Sequence, residues 1–217
     1  MILVIVGESA SGKSTLAKQF VEDNPSFSRI VTYTTRPKRE GEVDGIDYHF
    51  VSDEVFESMI NNNMFVEHAD YRGWHYGTAV NFGKDEDKIV VLTPAGARAF
   101  RRYKELNPEL DIDIYIVYLQ VDRRSRLIKM LQRGDDIDEC CRRSLSDVGQ
   151  FDSFEDEANC VINNDRYEME ANILSSTISD CIYQHREVIE SANKIIDEIE
   201  KEEISQTKNN CYKKNIY

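Results

Sequence analysis

The chain has 217 residues, 41% hydrophobic and 31% charged, with a formal charge of −13. That length allows one well-buried core with insertions but not two ordinary domains, and the acidic balance speaks against a nucleic-acid polymer as partner, which calls for a basic surface. Five cysteines without regular spacing make neither a disulfide framework nor a zinc site, Met1 leads straight into an apolar run, and no stretch approaches a bilayer span. We therefore expect reduced thiols, no signal peptide, no membrane contact and a cytoplasmic protein.

The apolar run Ile2 to Val6 reads as a buried strand, and Gly7-Glu8-Ser9-Ala10-Ser11-Gly12-Lys13-Ser14 follows it directly. Thr15, Leu16, Ala17 and Phe20 then open a helical pattern. Strand, glycine-bounded loop, Lys-Ser and helix form the context of a phosphate-binding loop. Gly7 and Gly12 let the backbone curl its N–H groups around an anion, and the helix N-terminus adds its dipole. Lys13 supplies a mobile charge for the outer phosphates, and Ser14 offers a hydroxyl to a Mg²⁺ ion that keeps most of its waters. These residues predict nucleoside triphosphate binding; the alternative is a plain Gly/Ser turn.

The first helix is expected to end near Val21, before Asp23-Asn24-Pro25, and a short strand from Arg29 to Tyr33 leads into a polar stretch. Asp44-Gly45 is a hairpin signal ahead of the alternating Ile46, Tyr48 and Phe50. Asp53 opens a helix, Phe65 to Tyr71 alternates again, Arg72-Gly73 turns, and Trp74 to Gly77 returns. Ile89 to Leu92 reads as a buried strand, Ala95 to Glu105 as a helix, and Ile112 to Val121 as a long strand. Residues 123–150 are charged and helical, Val161-Ile162 is a last strand, and the remainder is one long helical pattern. The sum is a parallel α/β fold with a β-rich insertion at about 31–80.

Within that insertion Arg36 and Arg39 lie three residues apart, Tyr48 and Tyr76 carry hydroxyls, and Glu67 follows Phe65 and Val66. Guanidinium forks with phenols suit a phosphomonoester, and a carboxylate nearby can accept two N–H bonds from a base edge. The duller readings are half-buried sheet aromatics for Tyr48 and Tyr76, and a surface carboxylate for Glu67.

These stretches resemble the guanylate kinases, ATP:GMP phosphotransferases. The likeness is carried by Thr34-Thr35-Arg36, the run Gly41 to Ser52, Phe65-Val66-Glu67, Tyr76-Gly77-Thr78, Arg133-Gly134 and Asn163-Asn164-Asp165, and covers about residues 2–185. It implies an α/β, P-loop, three-layer core with a parallel sheet (1–30, 81–122 and 156–185), a β-rich monophosphate-binding insertion (31–80), a helical lid (123–155), and a helical, partly disordered extension (186–217). It implies that Arg36, Arg39, Tyr48 and Tyr76 hold the GMP phosphate, and that Glu67, Thr32 and Thr78 read the guanine. Lys13 with the lid arginines Arg133 and Arg143 would act on the transferring group. Residues Gly7 to Thr15 and Asn164 would hold ATP, with Mg²⁺ at Ser14. Arg133 and Arg143 also read as solvated arginines in a helix rich in both signs.

The chain departs from the family in two places. After the Ile89–Leu92 strand, where an aspartate is common, it has Thr93-Pro94-Ala95-Gly96, so we expect dGMP as well as GMP to be accepted, with weaker discrimination among purines. The lid is one residue short between Gly134 and Arg143, and Ser144 stands where leucine is usual, which leaves Arg142 as the alternative to Arg143. His68 and His75 are read as structural or exposed. Rival readings are a kinase for another nucleoside monophosphate or a ribose bisphosphate, and a non-catalytic guanylate-kinase-like interaction module. In the tail, Ile178, Cys181, His185, Val188, Ala192, Ile195 and Ile199 step by three and four. That pattern fits either a terminal helix of a monomer or a coiled-coil homodimer contact, with order expected to end near Ser205.

Overall fold

The computed structural model describes all residues except 40, 72, 80–86, 111 and 215–217. In chain order the first elements are β1 (Ile2–Val6), α1 (Lys13–Asp23), β2 (Phe27–Arg29), β3 (Tyr33–Thr34), β4 (His49–Phe50), α2 (Asp53–Asn61), β5 (Phe65–Tyr71) and β6 (Trp74–Ala79). They are followed by β7 (Asp87–Val91), α3 (Pro94–Leu106), β8 (Ile114–Gln120), α4 (Arg123–Gln132), α5 (Ile137–Ser146), β9 (Cys160–Asn163) and α6 (Ala171–Lys214), with short 3₁₀ turns at Phe154–Glu157 and Asp165–Tyr167.

The main sheet has the order β2-β7-β1-β8-β9, and every pairing in it is parallel. β1 lies at its centre between β7 and β8, which explains why all five of its residues are buried and why it reads as an unbroken apolar run. Val4, Val6, Val90, Leu92, Ile116, Tyr118, Phe100 and Phe154 share one core cluster. The loop after β1 emerges at the C-terminal edge of the sheet, where the strand order reverses, the usual place for a ligand in an open α/β sheet.

The second sheet has the order β4-β3-β6-β5. Its β4 pairs parallel with β3, through Tyr33 with His49 and Thr34 with Phe50, so the hairpin expected at Asp44-Gly45 does not form. The reason lies in the aspartates. Asp47 Oδ2 accepts from Val43 N at 2.7 Å and Asp44 Oδ1 from Phe50 N at 2.9 Å, satisfying amides that a hairpin ladder would otherwise hold. The strand expected from Arg29 to Tyr33 is likewise two pieces, β2 in the main sheet and β3 in the second.

The chain divides into two compact units, Met1–Ser176 and Thr177–Tyr217. The division falls inside α6, earlier than residue 186, because a continuous helix has no Pro or Gly linker to mark it. α6 also runs on to Lys214, past the point near Ser205 where the composition suggests that structure ends. The expected start of a core segment at residue 81 lies outside the described residues. Cys140, Cys141, Cys160 and Cys181 are free thiols.

The close approach of β1 and β8 leaves no room at Gly7. A Cβ there would lie 2.5 Å from the Leu119 carbonyl oxygen and 2.7 Å from Ser11 Oγ. Gly7→Ala should therefore destabilise the protein by about 1–3 kcal/mol through overpacking, seen as a melting midpoint lowered by roughly 2–12 °C.

Candidate active site

The loop between β1 and α1 is built as an anion cradle. Ala10 (φ 65°) and Gly12 (φ 99°) adopt left-handed backbone on either side of Ser11, an alternation that turns successive N–H groups toward one concavity. Ser11 N donates to Glu8 O at 3.1 Å and Lys13 Nζ donates to Glu8 O at 2.7 Å. Burial pulls the Lys13 ammonium down to about 8, opposed by the Asp147 and Glu8 carboxylates, while Arg126 lowers it further. Ser14 and Thr15 are exposed on the first turn of α1. Tyr167 donates its hydroxyl to Ala10 O at 2.7 Å, and Asp147 accepts from Ser9 N at 2.9 Å and from Ser9 Oγ at 3.0 Å.

A second cationic cluster forms on the smaller sheet. Arg36 is buried (5% exposed) and donates to Glu42 through both nitrogens of its fork, at 3.0 and 2.7 Å. Its guanidinium lies 5.4 Å from the Tyr48 ring centroid and 5.6 Å from that of Phe50. The Glu42 hydrogen bond, and more weakly the Tyr76 hydroxyl, hold the Arg36 guanidinium above its ordinary range, and the same Arg36 bond holds the Glu42 carboxyl below its own. Tyr48 and Tyr76 meet edge to face at 6.0 Å, and burial raises the Tyr48 phenol. Arg39 stays exposed, its backbone N–H donating to Glu42 at 2.8 Å.

Next to this cluster lies an open cavity of about 260 Å³ lined by Val66, Glu67, His68, Thr93, Ala95 and Gly96, among others. Thr78 is fully buried and donates to Glu67 Oε1 at 2.6 Å. Desolvation raises the Glu67 carboxyl, with the Thr78 bond and the His68 charge opposing it. Thr93 caps α3, its Oγ1 accepting from Gly96 N at 3.2 Å, so the place where the family resemblance calls for a carboxylate holds a hydroxyl already bonded to a helix terminus. Thr32 is half-buried, and one step along the register from the Tyr33–Gly77 pair it stands opposite Thr78. His75 contacts Asp70 at 2.5 Å and stacks on Phe56 at 5.3 Å, a structural role.

Around the junction of α4 and α5, Arg133 pairs with Asp135 through both carboxylate oxygens, and Arg143 reaches the same carboxylate at 3.5 Å and Glu139 at 2.5 Å. Arg142 pairs with Glu139 at 3.0 Å. The Asp135 carboxyl is held low, first by the Arg133 bond and in smaller part by the charges of Arg143 and Arg39. Arg133 and Arg143 thus share one carboxylate, which also feels the charge of Arg39. Asn164 is buried, but its amide is committed to Met169, donating to O at 3.1 Å and accepting from N at 2.8 Å. Its side chain closes a backbone loop here.

Several residues of this site carry no mark in the sequence. Glu42 stands six positions from Arg36, a spacing with no meaning in a helix or a strand. Arg126, Asp135 and Asp147 sit in a run where charged residues are the default. Glu42 and Asp135 are singled out by the nearby arginines that they hold, Arg126 and Asp147 by their bonds to distant Ser9.

Comparison with known proteins follows the same lines. The family model described as guanylate kinase matches residues 1–181. The chain is 34% identical over 181 residues to a guanylate kinase of Chlorobium luteolum, covering 80% of this chain and 89% of that protein. It is also 34% identical over 168 residues to a guanylate kinase of Helicobacter hepaticus, covering 76% and 82%. The chain belongs to the guanylate kinase family. In fold it is similar to the crystal structure of guanylate kinase from Anaplasma phagocytophilum, at a TM-score of 0.60 and 22% identity over 85% of each chain.

Arg36→Lys keeps the charge and loses the fork that Glu42 now fills. Calorimetric titration should show at least about tenfold weaker binding of a nucleoside monophosphate, the scale of one charged hydrogen bond, with nucleoside triphosphate binding unchanged.

Proposed function

We propose that the protein transfers the γ-phosphoryl group of ATP to GMP, yielding ADP and GDP, and that it accepts dGMP as well. The observation that carries this reading is on β6. Tyr76 and Thr78 are two residues apart on one strand and share a face, about 7 Å from each other. One belongs to the Arg36 cluster, which suits a phosphomonoester, and the other is bonded to Glu67 at the cavity, which suits a base edge. A nucleoside monophosphate spans such a pair of sites.

Each group has a defined task. Lys13 and the N–H groups of Gly7 to Thr15 cradle the β- and γ-phosphates of ATP. Arg36, Arg39, Tyr48 and Tyr76 hold the acceptor phosphate, with Glu42 released from Arg36 as the phosphate enters. Glu67, Thr78 and Thr32 read the guanine. An oxygen of the acceptor phosphate attacks the γ-phosphorus, the bond to the β–γ bridging oxygen breaks, and ADP leaves with that electron pair. The acceptor is already an anion near neutral pH, so no protein base is needed, and positioning and charge do the work. Arg133 and Arg143 exchange Asp135 for the charge that develops on the transferred group.

A Mg²⁺ ion fits this arrangement. The exposed Ser14 hydroxyl stands at the loop's exit, and among the described residues no cluster of three or more His, Cys, Asp or Glu offers a protein cage instead. The chemistry such an ion supplies is charge neutralisation on the phosphates, most of its ligands being phosphate oxygen and water. No described helix is long and apolar enough to cross a membrane. We place the activity in the cytoplasm, in a monomer or a homodimer formed through α6.

Two variants test this function in a coupled assay of ATP against a panel of monophosphates. Lys13→Ala should lower kcat for GMP by about 10²-fold or more, the usual loss when a transition-state charge contact is removed, with circular dichroism unchanged; a kcat within about threefold of the parent rejects its role. Glu67→Gln puts a donor against a guanine N–H and should cut kcat/KM for GMP by about 2–4 kcal/mol, roughly 30- to 1000-fold, while AMP, lacking that donor pair, changes little. An equal loss on GMP and AMP makes Glu67 a support of the fold.

A further inference from the structure

Asp147 stands at the C-terminal end of α5, its own N–H donating to Arg143 O at 3.1 Å. An anionic side chain is disfavoured there, because the last carbonyls of a helix carry partial negative charge. Asp147 is nevertheless only 14% exposed and makes three hydrogen bonds to other elements. Oδ2 accepts from Ser9 N at 2.9 Å and from Arg126 Nη1 at 3.0 Å, and Oδ1 accepts from Ser9 Oγ at 3.0 Å. Arg126, 7% exposed, completes the junction from α4, donating to Ser9 O at 3.3 Å and to Val121 O at 2.9 Å and lying 3.8 Å from Glu8. Both backbone polar groups of Ser9 are thereby fixed by residues more than a hundred positions away.

We propose that Asp147 is a positioning residue that couples the phosphate loop to the lid. With Arg126 it holds the Ser9 peptide, so the loop keeps its concave face before ATP arrives. Through the last turn of α5 it also ties Arg143 to that same loop. The loop that binds the triphosphate and the arginine that meets the transferring phosphoryl group then keep one spacing. This rests on the phosphoryl-transfer reading above, and it adds a residue that neither the loop motif nor the lid arginines include.

The test uses the full chain with Asp147→Ala, Asp147→Asn and Ser9→Ala. Ser9→Ala removes only the hydroxyl bond and leaves the buried Arg126 paired, so it reports on the bridge even if loss of the carboxylate impairs folding. Affinity for a non-hydrolysable ATP analogue is measured by calorimetry, independently of any acceptor, and kcat and both KM values by coupled assay. Asp147→Ala should weaken the analogue and lower kcat by about tenfold or more, the scale on which misplacement of a catalytic group acts. Asp147→Asn, which keeps one acceptor oxygen, and Ser9→Ala should lose less, and KM for the monophosphate should stay within twofold throughout. Unchanged analogue affinity and kcat in a folded Asp147→Ala variant overturns the proposal. So does an equal rise in both KM values with a lowered melting midpoint, which marks a purely structural residue. Failure of GMP as acceptor in the parent protein would count against the proposed substrate and leave the calorimetric arm intact.

Discussion

Convergent positive charge is the constraint on which this structure depends. The proposed function asks Lys13, Arg36, Arg39, Arg133 and Arg143 to serve two phosphate groups, and like charges at close range repel unless something neutralises them. In a chain of formal charge −13 the neutralising groups are internal carboxylates. Glu42 fills the Arg36 fork, Asp135 holds Arg133 and Arg143, and Asp147 holds Arg126 beside the loop. Each of these carboxylates accepts hydrogen bonds through both of its oxygens, in the manner of a phosphate. Under the proposed function, substrate binding is then an exchange of one anion for another.

The two sheets divide the labour. The central strand of the parallel sheet is buried and delivers the phosphate loop at a point where a Cβ on Gly7 would collide with the Leu119 carbonyl. The smaller sheet carries Tyr76 and Thr78 on β6, the first among the rings around the buried Arg36 and the second bonded to Glu67. In the proposed function the first group meets the acceptor phosphate and the second the base. Thr93 spends its hydroxyl on the N-terminus of α3. A single carboxylate in a cavity open to solvent discriminates less than two would, which is the physical basis for expecting weaker discrimination among purines.

Much of this was legible in the residues themselves. β1, α1 and the loop between them follow from local rules: an apolar run fits only a buried strand, two glycines permit the turn, and Lys-Ser opens a helix. The sequence also offered Arg36, Arg39, Tyr48 and Tyr76 as groups suited to a phosphomonoester and Glu67 as one suited to a base edge, because residue type carries that chemistry. The structure gathers Arg36, Tyr48 and Tyr76 and bonds Glu67 to Thr78. What failed was local geometry where side chains compete with backbone. The hairpin signal at Asp44-Gly45 was overridden when Asp44 and Asp47 took the amides for themselves.

The sequence by itself determined the phosphate loop, the parallel α/β plan and the chemical kind of each substrate group, since these depend on residue type and on spacing over a few positions. The tertiary structure alone decided that Asp147 holds Arg126 and Ser9, because that group joins the loop after β1, α4 and the end of α5. Ser9 and Asp147 are 138 positions apart, and no periodicity of a helix or a strand links them. Such a pair exists only once the sheet has set the strand order and packing has brought the lid helices against the loop.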